Sequence, residues 1–170
     1  ARNQENFAVC NNATWALGEI SLRINLNNYL EKLVGILIDL LKSQAMSTVL
    51  ENAAITIGRI GISSPEFFSP HLNEFLLDWS AHMMYLEENE EKETAFQGMC
   101  NIILTNPTGF NNESLVAFVN TITMYLNPGQ KLAEIFHKLL SGYKEMLGDS
   151  WTQFLQTIDN GAELTGRYGI

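Results

Sequence analysis

The chain has 170 residues, of which 46% are hydrophobic, 17% are charged and only 4 are prolines, a composition typical of a folded domain. A chain of this length can bury a sizeable core without disulfides or a structural metal, so Cys10 and Cys100 are expected to be reduced, buried thiols of an intracellular protein. The net charge of −9 excludes direct nucleic-acid binding and favours a basic partner. An acidic surface that only keeps the protein soluble fits the charge equally well.

Taken in chain order, three segments repeat at an interval of 40 residues: NNATWALGEIS (11–21), ENAAITIGRIG (51–61) and EKETAFQGMCN (91–101) place Gly18, Gly58 and Gly98 in register. Amphipathic stretches lie between them at 27–44, 69–86 and 112–126, and turns containing proline separate the pairs. This pattern predicts an all-α fold, an α-solenoid of antiparallel HEAT helix pairs with a period of about 40 residues. A single helical bundle, the alternative, would not require such an interval.

The predicted boundaries follow from the same pattern. They are the second helix of a repeat at 1–22, helix pairs at 23–62, 63–105 and 106–147, and a terminal helix with a tail at 148–170. The sequence starts without Met and enters a helix almost at once, so we expect a segment of a longer protein. No apolar run approaches the roughly 20 residues that a membrane-spanning helix needs, and no signal peptide is recognisable, so no membrane insertion is expected.

Trp15 is placed unusually on its helix. A helical wheel puts it, with Phe7, opposite an apolar stripe that is expected to be buried and consists of Val9, Ala13, Ala16, Leu17 and Ile20. Ile55, one period later, lies in the same way opposite a stripe of Val49, Ala53, Ile57 and Ile60. We therefore predict that Trp15 and Ile55 are exposed neighbours. The polar residues expected around them are Asn11, Asn12, Glu19, Glu51 and Asn52.

Such a patch suits an extended basic peptide. Amides can pair with a peptide backbone, the apolar residues can take an apolar side chain or alkyl stem, and the carboxylates can meet Lys or Arg. In the alternative, Trp15 and Ile55 pack against the first helices of their repeats or against a preceding repeat.

Four longer motifs carry a family resemblance. The segments VCNNATWALGEIS and LLKSQAMSTVLENAAITIGRIG, the pair NEEKETAF and NPTG, and the closing RYGI resemble the C-terminal repeats of the transportin family of karyopherin-β nuclear import receptors. The resemblance covers essentially the whole chain. It implies HEAT repeats of a cargo-binding arch that recognises extended, basic proline-tyrosine nuclear localisation signals.

The resemblance also implies site residues and partners. Phe7, Trp15 and Ile55, with Asn11 and Asn52 nearby, match the site for the N-terminal element of the signal, although Phe7 stands where a smaller aliphatic residue is usual. The implied partners are localisation signals of cargo proteins such as RNA-binding proteins, Ran-GTP through upstream repeats, and Phe-Gly nucleoporins. A receptor of this kind shuttles between cytoplasm and nucleus. The runner-up function is a HEAT-repeat scaffold that binds a folded protein partner.

The remaining features suggest no catalysis. His71, His82 and His137 lack metal-ligand spacing, and no nucleotide-binding or nucleophile motif is present, so we predict no enzyme activity, metal or cofactor. The acidic run EENEEKE (87–93) is interpreted as a solvated helix start that favours the helix dipole, or else as an attractor of basic cargo. Four residues at the end of an outer helix, Trp79, Met83, Met84 and Tyr85, are expected in the core between repeats, with an outer-helix groove for Phe-Gly segments as the alternative.

Overall fold

The computed structural model describes the backbone of residues 2–170 and the side chains from Asn6 onward. The described backbone is helical and contains no strand. Its α-helices are α1 (Arg2–Ser21), α2 (Asn27–Leu41), α3 (Ser47–Ser63), α4 (Leu72–Met83), α5 (Glu90–Thr105), α6 (Asn112–Met124), α7 (Gln130–Leu147), α8 (Trp151–Gln156) and α9 (Gly161–Tyr168). Short 3-10 turns precede α4 and α8. The predicted all-α class is confirmed.

The helices form two layers. In one layer α1, α3, α5 and α7 lie side by side, and in the other α2 packs on α4 and α4 on α6. The core between the layers is apolar, and its centre is a cluster of aromatic rings in which Trp79 and Phe96 meet edge to face with 5.0 Å between centroids. The indole Nε1 of Trp79 donates to the carbonyl of Ala54 at 2.8 Å. Trp79 and Met83 are thus core residues, as predicted, whereas the prediction is wrong for Tyr85, which is exposed after the end of α4, and Met84 is only half-buried. The layered arrangement is that of a HEAT solenoid.

Glycines let α3 and α5 approach closely. A Cβ added to Gly98 would lie 1.7 Å from the Gly58 carbonyl oxygen, and one added to Gly58 would lie 2.3 Å from the Ala95 carbonyl oxygen. Gly18 of α1 is similarly close to α3, since its Cβ would lie 2.8 Å from the Thr56 hydroxyl. The glycines that revealed the 40-residue interval are therefore the points of closest packing between neighbouring helices.

The glycine register ends at α7. Residue 138, one interval after Gly98, is a lysine, and a cleft of about 190 Å³ separates α5 from α7 at this position. The cleft is lined chiefly by apolar side chains, including Ile103, Leu139 and Tyr143. A Cβ added to Gly142, on the α7 side of this cleft, would meet nothing within 4 Å.

The predicted stripe of α1 is wrong. Val9 is 69% exposed and Ile20 is 43% exposed, whereas the buried residues among the described side chains of α1 are Thr14, Gly18 and Ser21. The helix packs on α3, and of the predicted stripe only Ala16 and Leu17 are half-buried, with Leu17 packed against the core. Apolar side chains lie on more than one side of α1, so the wheel could not tell which side meets a neighbour.

The C-terminal residues cap the last helix pair. Arg167 of α9 donates to the carbonyls of Thr123 and Tyr125 at the end of α6, at 3.1 and 3.0 Å. The sequence did not predict α9, which starts after Asn160 in a left-handed conformation (φ 58°). An eight-residue helix with two glycines has little intrinsic stability, so its contacts with α6 and α7 hold it in place.

We predict opposite effects for two Gly→Ala substitutions. Gly98→Ala forces a methyl group into the backbone of α3 and should lower the free energy of unfolding by about 1–3 kcal/mol or more. Gly142→Ala adds a methyl group in open space and should raise it by about 0.5–1 kcal/mol through helix propensity. Urea unfolding followed by circular dichroism measures both. Equal destabilisation by the two substitutions would contradict the close approach of α3 and α5.

Candidate functional site

Trp15 is exposed and held by a hydrogen bond. Its side chain is 48% exposed, as predicted, and its indole Nε1 donates to Oε1 of Glu91 at 3.0 Å. Trp15 belongs to α1 and Glu91 to α5, which pack on α3 from its two sides. The indole ring therefore crosses the face of α3 that lies between those helices.

Arg59 of α3 is the buried charge of this site. It is 3% exposed, its Nη1 lies 2.7 Å from Glu19 Oε1 and 3.6 Å from Glu91 Oε1, and its Nε donates to the Thr94 hydroxyl at 3.0 Å. A buried guanidinium needs such partners because removing it from water is costly. Carboxylates from α1 and α5 thus converge on one arginine of α3.

Ile55 is not exposed. It lies one turn before Arg59 on α3 and is only 4% exposed, so the prediction of two exposed apolar neighbours is wrong. The close packing of α1, α3 and α5 and the Trp15 ring crossing between them leave no open surface at this position. A peptide at this site would meet the outer face of Trp15 rather than Ile55.

The predicted polar residues are partly paired with one another. Asn52 Nδ2 donates to Asn11 Oδ1 at 2.9 Å, and Glu51 accepts a bond from the Ser47 hydroxyl at 2.6 Å. Asn12 is exposed and Glu19 is half-buried against Arg59. The amides of Asn11 and Asn52 lie near the surface of the layer formed by α1 and α3, and the hydrogen bond between them sets their orientation.

Phe7 lies apart from Trp15. It is half-buried and lines a cleft of about 230 Å³ with Asn11, Met46, Val49 and two smaller neighbours. Eight residues of α-helix separate Phe7 from Trp15, which is about 12 Å along α1. The single predicted patch is therefore two apolar positions with the Asn11–Asn52 pair between them.

Sequence reasoning missed Arg59, Glu91 and Thr94. A signal for the first existed, since Arg59 follows Glu19 by exactly one repeat interval, and opposite charges one interval apart meet when the helices stack in register. Glu91 could not be singled out from its acidic neighbours, because its contact joins α1 to α5 over a third helix.

Comparisons with known proteins show relatives along nearly the whole chain. Transportin-1 of Mus musculus and of Homo sapiens are each 37% identical over 156 residues, which is 89% of this chain and 17% of the relative. Importin subunit beta-2 of Schizosaccharomyces pombe is 38% identical over 170 residues, covering 97% of the chain and 18% of the relative. No protein-family model matches.

The chain belongs to the transportin family of nuclear import receptors. It spans less than a fifth of the length of these relatives. Their names denote transport receptors rather than enzymes, and the predicted absence of enzymatic function is confirmed. Among the described residues of this transportin segment, no cluster of three or more potential ligands could hold a metal ion, and no helix is long and apolar enough to cross a membrane.

The acidic run of this transportin segment is a helix start, as predicted, but several of its carboxylates have specific partners. Asn89 caps α5 by accepting from the Lys92 backbone N–H at 2.9 Å. Glu93 accepts from the Tyr125 hydroxyl at 2.7 Å, and Glu88 accepts from the backbone N–H of Leu126 at 2.6 Å. These bonds fix the turn between α6 and α7 to the start of α5, so the run is not simply solvated.

Acid should weaken the Glu88 contact. Burial acts to raise the pKa of Glu88, but hydrogen bonds from Leu126 and Asn127 and the charge of Lys92 outweigh it, so the pKa lies below 4.5. A carboxyl with a lower pKa in the folded state stabilises the protein above its unfolded pKa and loses that contribution as the pH falls. The unfolding temperatures of wild type and Glu88→Gln should therefore differ at neutral pH, and the difference should shrink as the pH falls through the lowered pKa of Glu88 in the folded state. The exposed Glu87→Gln is the matched control, and a constant gap at all pH values would contradict this account.

Two arginines that share Glu19 should differ in importance. Arg59→Met removes the buried guanidinium and leaves two partly exposed carboxylates, Glu19 and Glu91, without their shared partner. Because water still reaches these carboxylates, the substitution should cost about 1–3 kcal/mol of unfolding free energy. Arg23 also contacts Glu19, at 3.4 Å, but its side chain is 73% exposed, so Arg23→Met should cost less than about 1 kcal/mol. Urea unfolding of both variants measures the difference. Similar losses would mean that Arg59 is not the buried centre of the site.

Proposed function

We propose that this transportin segment binds an extended, basic peptide, the N-terminal element of a proline-tyrosine nuclear localisation signal. The single observation that carries the proposal is the exposed indole of Trp15, held in one orientation by Glu91. Large aromatic side chains that are both exposed and ordered are typical of the residues that dominate binding energy. An aromatic that does not move on binding also costs little conformational entropy.

The spacing of the site suggests how a peptide would lie on it. Phe7 and Trp15 are about 12 Å apart along α1, and an extended chain advances about 3.3 Å per residue. Side chains four residues apart on one side of the peptide would thus reach the Phe7 cleft and the Trp15 ring. The amides of Asn11, Asn12 and Asn52 lie between these positions and can bond to the peptide backbone.

Electrostatics supports a basic partner. The chain carries a net charge of −9, which attracts a positively charged segment before contact and raises its association rate. A disordered signal loses entropy when it becomes ordered, and burial against Trp15 and the Phe7 cleft would offset part of that cost.

The proposal includes the cellular role that accompanies such binding. The segment would act within a longer receptor that shuttles between cytoplasm and nucleus. That receptor would bind Ran-GTP through other repeats and would contact Phe-Gly nucleoporins. Cargo proteins, RNA-binding proteins among them, would supply the signal.

One observation favours the second candidate, a scaffold for a folded partner. The apolar residues of α1 that include Val9 and Ile20 are exposed, and a folded surface can cover such a face more fully than a peptide can. A short peptide distinguishes the two functions, because only the receptor function lets it bind without the rest of the partner.

Trp15→Ala should weaken the binding of a fluorescein-labelled basic peptide by about 1–3 kcal/mol, measured by fluorescence anisotropy. Tyr85→Ala is the matched control, since Tyr85 is 80% exposed and lies after α4, and it should leave the affinity unchanged. Ile55→Ala should act through stability, with a loss of about 2–5 kcal/mol in unfolding free energy, because Ile55 is buried. Circular dichroism melts separate the two effects, and equal affinity of wild type and Trp15→Ala would remove this site from the proposal.

A further inference from the structure

We propose that Glu91 makes the Trp15 position selective for a cationic side chain: a Lys or Arg of the bound peptide lies on the outer face of the indole and pairs with the Glu91 carboxylate. This inference rests on the proposed function, since it specifies which side chain the site prefers. Glu91 would be a specificity-determining residue on α5, two helices away from the one that carries Trp15.

The first support is the position of the aromatic ring. The bond from Nε1 to Glu91 uses the edge of the indole and so leaves a ring face to the solvent in a side chain that is 48% exposed. A cation over a ring face is attracted by the quadrupole of the ring, and tryptophan is the best of the aromatic side chains for this contact. The same bond places a carboxylate at the ring edge, where a cation on the face can reach it.

The second support is the charge on Glu91. Its contacts with Trp15 and Arg59 both use Oε1, and a carboxylate can accept hydrogen bonds at both of its oxygens. Arg59 lies nearer to Glu19, at 2.7 Å, than to Glu91, at 3.6 Å. Its ion pair with Glu19 is therefore the stronger one, and the charge of Glu91 is compensated less completely. The Glu91 side chain is 34% exposed and follows the exposed Glu90.

The third support is what the site lacks for an apolar side chain. Ile55 is 4% exposed, so an apolar residue on Trp15 would gain only the indole face and would cover a charged carboxylate. An apolar group that covers the exposed part of this carboxylate removes water from it without supplying a new hydrogen-bond donor, which is unfavourable. A cation gains the same face and a charge-assisted bond, which is stronger than a neutral one.

The test compares two fluorescein-labelled peptides of one glycine- and serine-based sequence, one with three arginines and one with three norleucines at the same positions. They are titrated by anisotropy into the 170-residue chain and its Glu91→Gln and Glu90→Gln variants. Glu91→Gln keeps an oxygen that can accept the Trp15 bond but removes the charge. Glu90→Gln is the matched control, because it makes the same change in net charge one residue away. Circular dichroism verifies that each variant retains its helix content.

Glu91→Gln should lower the affinity for the arginine peptide at least about tenfold and leave the affinity for the norleucine peptide unchanged. Glu90→Gln should lower the affinity for the arginine peptide less than about twofold. Equal losses in the two variants would reduce the effect to net charge and overturn the inference. If both peptides bind wild type equally and Trp15→Ala abolishes both, peptide binding at Trp15 stands, whereas the preference for a basic side chain and the role of Glu91 fail. Binding of neither peptide to wild type overturns the proposed function and the inference together.

Discussion

The backbone contact between Gly58 and Gly98 is the constraint on which the site depends. Neither position has room for a Cβ, so α3 and α5 lie closer together than helices with ordinary side chains at their interface. With α1 also close to α3 at Gly18, the side chains of α1 and α5 can meet across the helix between them. The Trp15–Glu91 bond requires this proximity, since it joins helices that are not neighbours in the layer.

Arg59 turns that proximity into a defined arrangement. A buried guanidinium is stable only if its charge is balanced and its donors are used, and here the partners come from both flanking helices. Folding therefore demands that Glu19 and Glu91 point toward α3. The orientation of Trp15 follows, because its indole bonds to one of these carboxylates. A requirement of stability thus also fixes the surface that we propose for binding.

The sequence predicted the architecture well because the interval of 40 residues reflects a real contact: the residues in register touch. It placed Trp79 in the core correctly, and it predicted the exposure of Trp15 correctly but from an opposite stripe of α1 that is itself largely exposed. It failed for Ile55 and for the stripe containing Val9, because a helical wheel locates a face without identifying what packs on it. Side chains of neighbouring helices cover Ile55, and the face of α1 that meets α3 contains the small residues Thr14, Gly18 and Ser21. The helix α9 was missed because tertiary contacts, not propensity, stabilise it.

The packing between α5 and α7 differs from the packing between α3 and α5. Helices whose backbones touch move as one rigid slab, because any sliding or tilting drives atoms of close-packed backbones into each other. The slab of α1, α3 and α5 ends where the cleft between α5 and α7 begins, and at this seam side chains rather than backbones separate the helices. Side chains can change rotamer and backbones cannot, so the packing at the seam constrains the spacing of the helices less than the packing within the slab. Trp15, Arg59 and Glu91 all lie within the slab. A change of helix spacing at the seam between α5 and α7 would therefore leave the geometry of these three residues intact.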